Sequence, residues 1–189
     1  MIGFDELLKK RRSIRDYEER EVPLETVKAI IDESCLAPSS ANGQPWRFVI
    51  INNREVIKQL SDESKKNLVA DLEKNPASPR KNYEAALRNP DFNVFYNAPC
   101  LVYVCGRKDL RTLQVDLALF ACYFMFSAVE KGLGTCWIGL GIYIKDPQLR
   151  NLIGMSDGDR IVAPIIVGYP KSIPAPSERM EPRILKVVS

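Results

Sequence analysis

Hydrophobic residues recur along this chain with two periods, and the switches between them mark out the elements. Phe4, Leu7 and Leu8 share one helical face, with acidic Asp5 and Glu6 early and basic residues late, as the helix dipole favours. A helix is therefore predicted over residues 4–12, followed by a polar, irregular stretch to residue 21. Val27, Ile30 and Ile31 return at helical spacing after Pro23, which suits a first helical turn, and Ala37-Pro38 closes that helix. Residues 46–51 read as a buried strand, and 54–73 as an amphipathic helix carried by Val56, Ile57, Leu60, Leu68 and Leu72. A strand is predicted over 100–105. Residues 113–131 are apolar nearly all round, which predicts a central buried helix. Gly132-Leu133-Gly134 ends it and feeds a short strand over 135–138. Asp146-Pro147 combines an N-cap with proline at the first helical position and opens a short helix to Ile153. A last strand covers 161–167, and Gly168-Tyr169-Pro170 closes it.

Two stretches resist assignment. Residues 74–97 hold Pro76, Pro79 and Pro90 among many charges, the pattern of a lid or insertion. The proline-rich tail from Lys171 ends in an apolar piece, Ile184 to Val188, that has little to fold around by itself. It reads as a C-terminal arm, 171–189, that docks elsewhere, on a partner subunit. Several helices mixed with four or five short strands make a single α+β, or mixed α/β, layered domain over residues 1–189.

Composition narrows the function. A chain of 189 residues buries a core without staples, and no apolar run such as 163–167 is long enough to cross a bilayer. The N-terminus shows neither a basic leader nor a long apolar stretch, so a cytoplasmic protein without membrane attachment is expected. Five cysteines, odd in number and without a Cys-x-x-Cys pair, fit neither a disulfide framework nor zinc and iron–sulfur spacings, so no metal site is expected. Histidine is absent altogether. That removes histidine-based triads and metal sites; an enzyme here has to use carboxylates, lysine, tyrosine, cysteine or a cofactor's own reactivity, and the expectation moves toward the cofactor. A net charge of +3 is too small to imply nucleic-acid binding.

The charge distribution says more. Lys9, Lys10, Arg11, Arg12 and Arg15 fall within seven residues. Guanidinium groups grip phosphate oxygens in pairs and keep their charge, and Ser13 adds a neutral donor beside them. The plain alternative is a solvated basic helix end. A nucleic-acid patch is a third reading, but the run lacks interleaved aromatics. Pro38-Ser39-Ser40-Ala41-Asn42-Gly43-Gln44-Pro45-Trp46 gathers two hydroxyls and two carboxamides beside an indole, more polar chemistry than a connecting loop requires. Neither a Rossmann nor a P-loop glycine pattern occurs, so a phosphate has to be held by side chains. The segment Gly132 to Gly139 offers a helix C-cap and a strand end where backbone can approach a planar ligand.

In this order, Arg-Arg-Ser-x-Arg, Pro-Ser-Ser-x-Asn-x-Gln-Pro-Trp and Gly-Leu-Gly-Thr-Cys-Trp-Ile-Gly, the chain resembles the FMN-dependent nitroreductase superfamily over nearly its full length. The resemblance implies a three-layer α+β domain with a central mixed, mostly antiparallel sheet, paired as a homodimer with FMN at the subunit interface. It implies that Arg11, Arg12, Ser13 and Arg15 hold the phosphate, ribityl chain and pyrimidine edge. Pro38, Ser39, Ser40, Asn42 and Gln44 would reach the flavin from the other subunit. Trp137, Ile138 and Gly139 would lie near flavin N5, and Arg179, with Arg183 second, would complete the phosphate site. NADH or NADPH would be the reductant in a ping-pong reaction, and nitroaromatics, quinones or enones the acceptors. A flavin-fragmenting, dehalogenating or ene-reducing member would share the same shell. Lys65, Lys66 and Asn67 are the candidates for a group facing the pyrimidine. Cys122-Tyr123 stands where many members carry Gln or Glu followed by Asn.

Overall fold

A computed structural model describes the chain from residue 3 to residue 188; Met1, Ile2 and Ser189 lie outside the described residues. In chain order the helices are α1 (Phe4–Lys10), α2 (Leu24–Ser34), α3 (Arg54–Lys74), α4 (Glu84–Arg88), α5 (Leu113–Glu130) and α6 (Pro147–Leu152). The strands are β1 (Arg47–Ile51), β2 (Cys100–Arg107), β3 (Gly134–Trp137) and β4 (Asp159–Gly168). They form one four-stranded sheet in the order β1-β2-β4-β3, and every pairing is antiparallel. The parallel part of the expected mixed sheet is a single bridge from Ser13 to Thr135 at the β3 edge.

Alternation along β2 sorts its side chains to two cores, because successive strand residues point to opposite faces. Cys100, Val102 and Val104 join α2 and α5 through Val27, Ile30, Leu117, Phe120 and Phe124. Leu101, Tyr103 and Cys105 join α3 through Ile57, Leu60 and Leu68, together with Phe95. Both faces are covered, which gives the three layers that the resemblance implies.

Local chemistry sets the helix ends. The Asn53 side chain caps α3 by accepting from Val56 N at 3.1 Å. Asp146 caps α6 by accepting from Gln148 N and Leu149 N, with Pro147 in the first turn. Pro23 stands one residue earlier than patterning suggests, at the N-cap of α2. At the end of α5, Leu133 N donates to Ala128 O (2.8 Å) and Gly132 N to Val129 O (3.0 Å), with Gly132 at φ 73°. This is a Schellman stop, and its left-handed residue favours glycine.

One expectation is corrected. α5 is not buried all round: Leu117, Phe120, Ala121 and Phe124 pack into the core, but Val115, Leu119 and Tyr123 are exposed. By length and composition α5 is apolar enough to cross a membrane, yet its inner face belongs to the sheet core. Cys122 lies on the open face of α5, while Cys100, Cys105 and Cys136 are buried. Residues 74–97, the least regular in pattern, contain α4, and they bury Leu87, Val94 and Phe95 against α3. Ser61 Oγ accepts from Val94 N, and Lys65 Nζ donates to the carbonyls of Asn89, Pro90 and Phe92. Residues 171–188 form no helix or strand, and Met180, Ile184, Leu185, Val187 and Val188 are exposed.

Candidate cofactor-binding site

The basic segment is laid directly onto β3. Arg11 is the C-cap of α1, and the chain then runs extended, with Ile14 N donating to Thr135 O at 3.0 Å. Gly134 makes this approach possible, since a Cβ there would stand 2.6 Å from Ile14 Cγ1 and 2.9 Å from Pro170 Cγ. Ile14 is buried, so its neighbours Ser13 and Arg15 are held outward at fixed places. Tyr17 fastens the turn from below by donating its hydroxyl to Ile14 O at 2.8 Å. Burial, reinforced by Cys136, raises the Tyr17 phenol far above its ordinary range, so it stays a donor. The Cys136 thiol beneath is likewise pushed up by burial, against the pull of Arg15, Ser13 and Arg11. Thr135 Oγ1, on the residue bridged to Ser13, is buried without a hydrogen-bond partner among the described residues.

The tail is fastened to the same segment. Glu18 N donates to Tyr169 O, Lys171 N to Asp16 O, and the Ser172 hydroxyl to Asp16 Oδ2. Pro174 to Ser177 and Arg179 then form, with the arginines, the walls of an open cavity of about 680 Å³. Its walls include Lys9, Arg11, Arg12, Ser13, Arg15 and Arg179, and no carboxylate lines it. None of those five cations has a carboxylate within ion-pair distance among the described residues, whereas Lys10 next door pairs with Glu6. Unneutralised guanidinium groups converging on one cavity repel each other until an anion joins them. The donor set suits a phosphate dianion. Arg183 does not line the cavity, so Arg179 is the tail residue brought to it.

Pro38 to Gln44 sits elsewhere. Ser40 N donates to Asp116 Oδ1 at 2.9 Å, and Asp116, in the first turn of α5, also accepts from the Thr112 hydroxyl. A Cβ on Gly106 would meet Pro45 O at 2.7 Å and Leu113 at 2.5 Å, which seats the loop's end against the start of α5. The arginines instead border β3, just past the other end of that helix. Eighteen residues of helix separate the two ends, about 27 Å at 1.5 Å per residue. One chain therefore does not bring the two motifs to one ligand. The loop itself is tightly wound: Ala41, Asn42 and Gln44 have positive φ (49°, 53° and 43°), held by Gln44 N to Ser39 Oγ and Gln44 Nε2 to Asn42 Oδ1. Backbone strain of this kind collects where side-chain placement matters.

Of the strand-end residues, Trp137 is half-buried and Gly139 is exposed with open space at its Cα. Ile138 offers neither group to a ligand, since its side chain is buried in the α3-side core and its N–H donates to Pro164 O at 2.8 Å. Lys65 is occupied with three carbonyls, and the Asn67 amide donates to Glu63 and to Tyr143 O. Lys66 pairs with Glu63 at 3.4 Å. Patterning missed Tyr96, whose ring lies under the Arg15 guanidinium at 5.7 Å. The only sequence trace of it is an aromatic–asparagine pair just ahead of β2.

A model of the Nitroreductase family matches residues 8–169. A putative NADH dehydrogenase/NAD(P)H nitroreductase of Archaeoglobus fulgidus is 26% identical over 169 residues, 85% of this chain and 82% of that one. Iodotyrosine deiodinase 1 of Rattus norvegicus is 27% identical over 179 residues, which are 88% of this chain and 62% of the relative. Among solved structures, a nitroreductase with bound FMN from Bacteroides fragilis superposes with a TM-score of 0.81 over all of both chains. At 21% identity that likeness is one of fold. An iodotyrosine deiodinase bound to FMN and 3-iodo-L-tyrosine gives 0.74 at 25% identity, covering 94% of this chain and 95% of that one.

Proposed function

The chain belongs to the Nitroreductase family, and on that footing we propose that it is an FMN-dependent oxidoreductase. It takes electrons from NADH or NADPH and delivers them to a small conjugated acceptor such as a nitroaromatic or a quinone. The observation that carries this reading is the cavity lined by five cations, Lys9, Arg11, Arg12, Arg15 and Arg179, together with Ser13 and no carboxylate. When bound, the flavin would supply the redox chemistry, with NADH or NADPH as electron source and the small acceptor as sink.

The protein's share is to hold and orient. Arg11, Arg12, Ser13 and Arg179 grip the phosphate, and Arg15 stabilises negative charge at the pyrimidine edge. Among the described residues Gly139 N donates no hydrogen bond outside its own turn, and its Cα leaves room for a planar ring. Gly139 thus takes the donor role expected of the 137–139 segment.

The site is shared between two copies. Val115, Leu119, Cys122 and Phe126 recur at seam spacing on the open side of α5, flanked by Phe4 and Leu8 of α1. Two α5 helices packed antiparallel across a two-fold axis cover this strip. The same operation carries Ser39, Ser40, Asn42 and Gln44 of one copy to the arginines of the other. The exposed apolar tip, Ile184 to Val188, then has a partner surface to cover.

The likeness to iodotyrosine deiodinases favours one second reading, a reductive dehalogenase with the same cofactor shell. One experiment tests both. The purified protein is expected to be yellow, to release FMN on denaturation, and to be bleached by NADH or NADPH without air. Re-oxidation by a nitroaromatic or quinone supports the first reading, and iodide release from 3-iodotyrosine the second. Colourless protein that takes up no FMN overturns both.

A further inference from the structure

Tyr96 and Asn97 both adopt left-handed backbone, at φ 53° and 52°, in a stretch with no glycine. Two such residues in succession are unfavourable and persist only where surrounding contacts over-determine them. Those contacts are present. Tyr96 N donates to Asn93 O, Phe95 N to Asn93 Oδ1, Val94 N to Ser61 Oγ and Lys65 Nζ to Phe92 O. Phe95 is fully buried and packs so closely on Gly141 that a Cβ there would lie 2.4 Å from its ring. The loop is thus locked against the turn that follows Gly139. Its next residue, Tyr96, sits edge-on to Phe92 at 5.7 Å and places its ring 5.7 Å from the Arg15 guanidinium.

Arg15 has no carboxylate partner among the described residues and is exposed, so little else fixes its direction. A flexible arginine loses side-chain entropy on gripping a ligand, and an aromatic platform that holds the fork in place reduces that loss. We propose that Tyr96 is a positioning residue for Arg15, a rigid platform aiming the guanidinium at the edge of the flavin. It acts through its ring face; among the described residues its hydroxyl makes no hydrogen bond, and it is dispensable. This rests on the FMN reading above and adds a residue to it. The strained backbone is what turns the ring toward Arg15, and the Phe95–Gly141 contact ties that ring to the turn carrying Gly139.

The test uses the purified full chain stripped of flavin, with FMN binding followed by quenching of flavin fluorescence and the bound flavin's midpoint potential measured beside it. Tyr96→Leu weakens FMN binding about two- to fivefold, the range for one exposed cation–π contact, and lowers the potential. Tyr96→Phe keeps the ring and restores both values. In an Arg15→Gln background, Tyr96→Leu has no further effect, which separates aiming of Arg15 from general damage to the loop. The proposal is overturned if Tyr96→Leu matches wild type in both readings, if Tyr96→Phe behaves like Leu, or if the effect survives without Arg15. A wild-type chain that binds no FMN overturns the cofactor reading itself, and this proposal with it.

Discussion

Gly134 and Ile14 are in such close contact that one added carbon at Gly134 would stand 2.6 Å from Ile14 Cγ1. That contact joins two motifs that are 120 residues apart in the chain. The glycine admits the N-terminal segment to the sheet edge, and the buried isoleucine turns Ser13 and Arg15 outward. Gly134→Val therefore lifts the arginine segment off β3. The expected outcome is overpacking of about 1–3 kcal/mol and an FMN affinity that falls more than the apo-protein's melting temperature. Calorimetry and FMN titration on the same samples check it; equal losses would make Gly134 a packing residue only.

Arg12 and Arg179 come from opposite ends of the chain to one cavity. Removing either takes away charge-assisted hydrogen bonds worth about 1.5–3 kcal/mol, roughly tenfold to a hundredfold in FMN affinity. Arg183→Ala, outside the cavity, leaves affinity within about twofold, since a rim charge is worth well under 1 kcal/mol. Riboflavin, which lacks the phosphate, binds Arg12→Ala and wild type alike. The check is parallel titration with both ligands.

Lys65 looked like a ligand-facing lysine in the sequence, and the structure gives it three backbone carbonyls instead. Lys65→Met leaves those carbonyls without their donor and costs about 3 kcal/mol. Melting temperature falls, while FMN affinity of the folded protein is unchanged. A selective loss of FMN binding with normal melting would return Lys65 to the site.

Thiol chemistry reports on the open face of α5. Burial pushes the Cys100 thiol up to about 12 and, with Asp159 nearby, the Cys105 thiol up to about 11, so both stay protonated and unreactive at pH 8. Raised values mean that their charged forms are reached only as pH climbs toward those values, and no change is expected across neutral pH. Cys122 is exposed in the single chain and lies on the strip that pairing would cover. Leu119→Glu places a charge in that strip. The expected outcome is a monomer by light scattering that labels rapidly at Cys122 and retains no FMN, against a wild type expected to run as a dimer and to label slowly there.

Regular elements were legible because period and punctuation agree in them. The span 54–73 falls one residue short of α3, and Asp146-Pro147 opens α6 where expected. The open face of α5 was hidden by its composition: a helix apolar all round reads the same whether its second face meets its own core or another copy. Residues 84–88 escaped because five residues between prolines show no period. Residue type singled out the arginines that line the cavity and the Pro38–Gln44 loop at the far end of α5, but type says nothing of hydrogen bonds. Only coordinates show that the amide of Ile138 is already bonded to Pro164. Tyr96 owes its place to backbone strain and to a neighbour 81 positions away, Arg15, neither of which leaves a pattern.

The central claim is that one flavin site is built from both ends of two α5 helices. Mixing inactive Arg12→Ala and Asn42→Ala variants tests it most directly. Random re-pairing makes half the dimers mixed, and each mixed dimer has one site with both residues intact, so about a quarter of sites regain FMN binding and reductase activity. Subunit exchange, shown independently by mass-tagged chains, with no recovery of either signal would contradict the shared site.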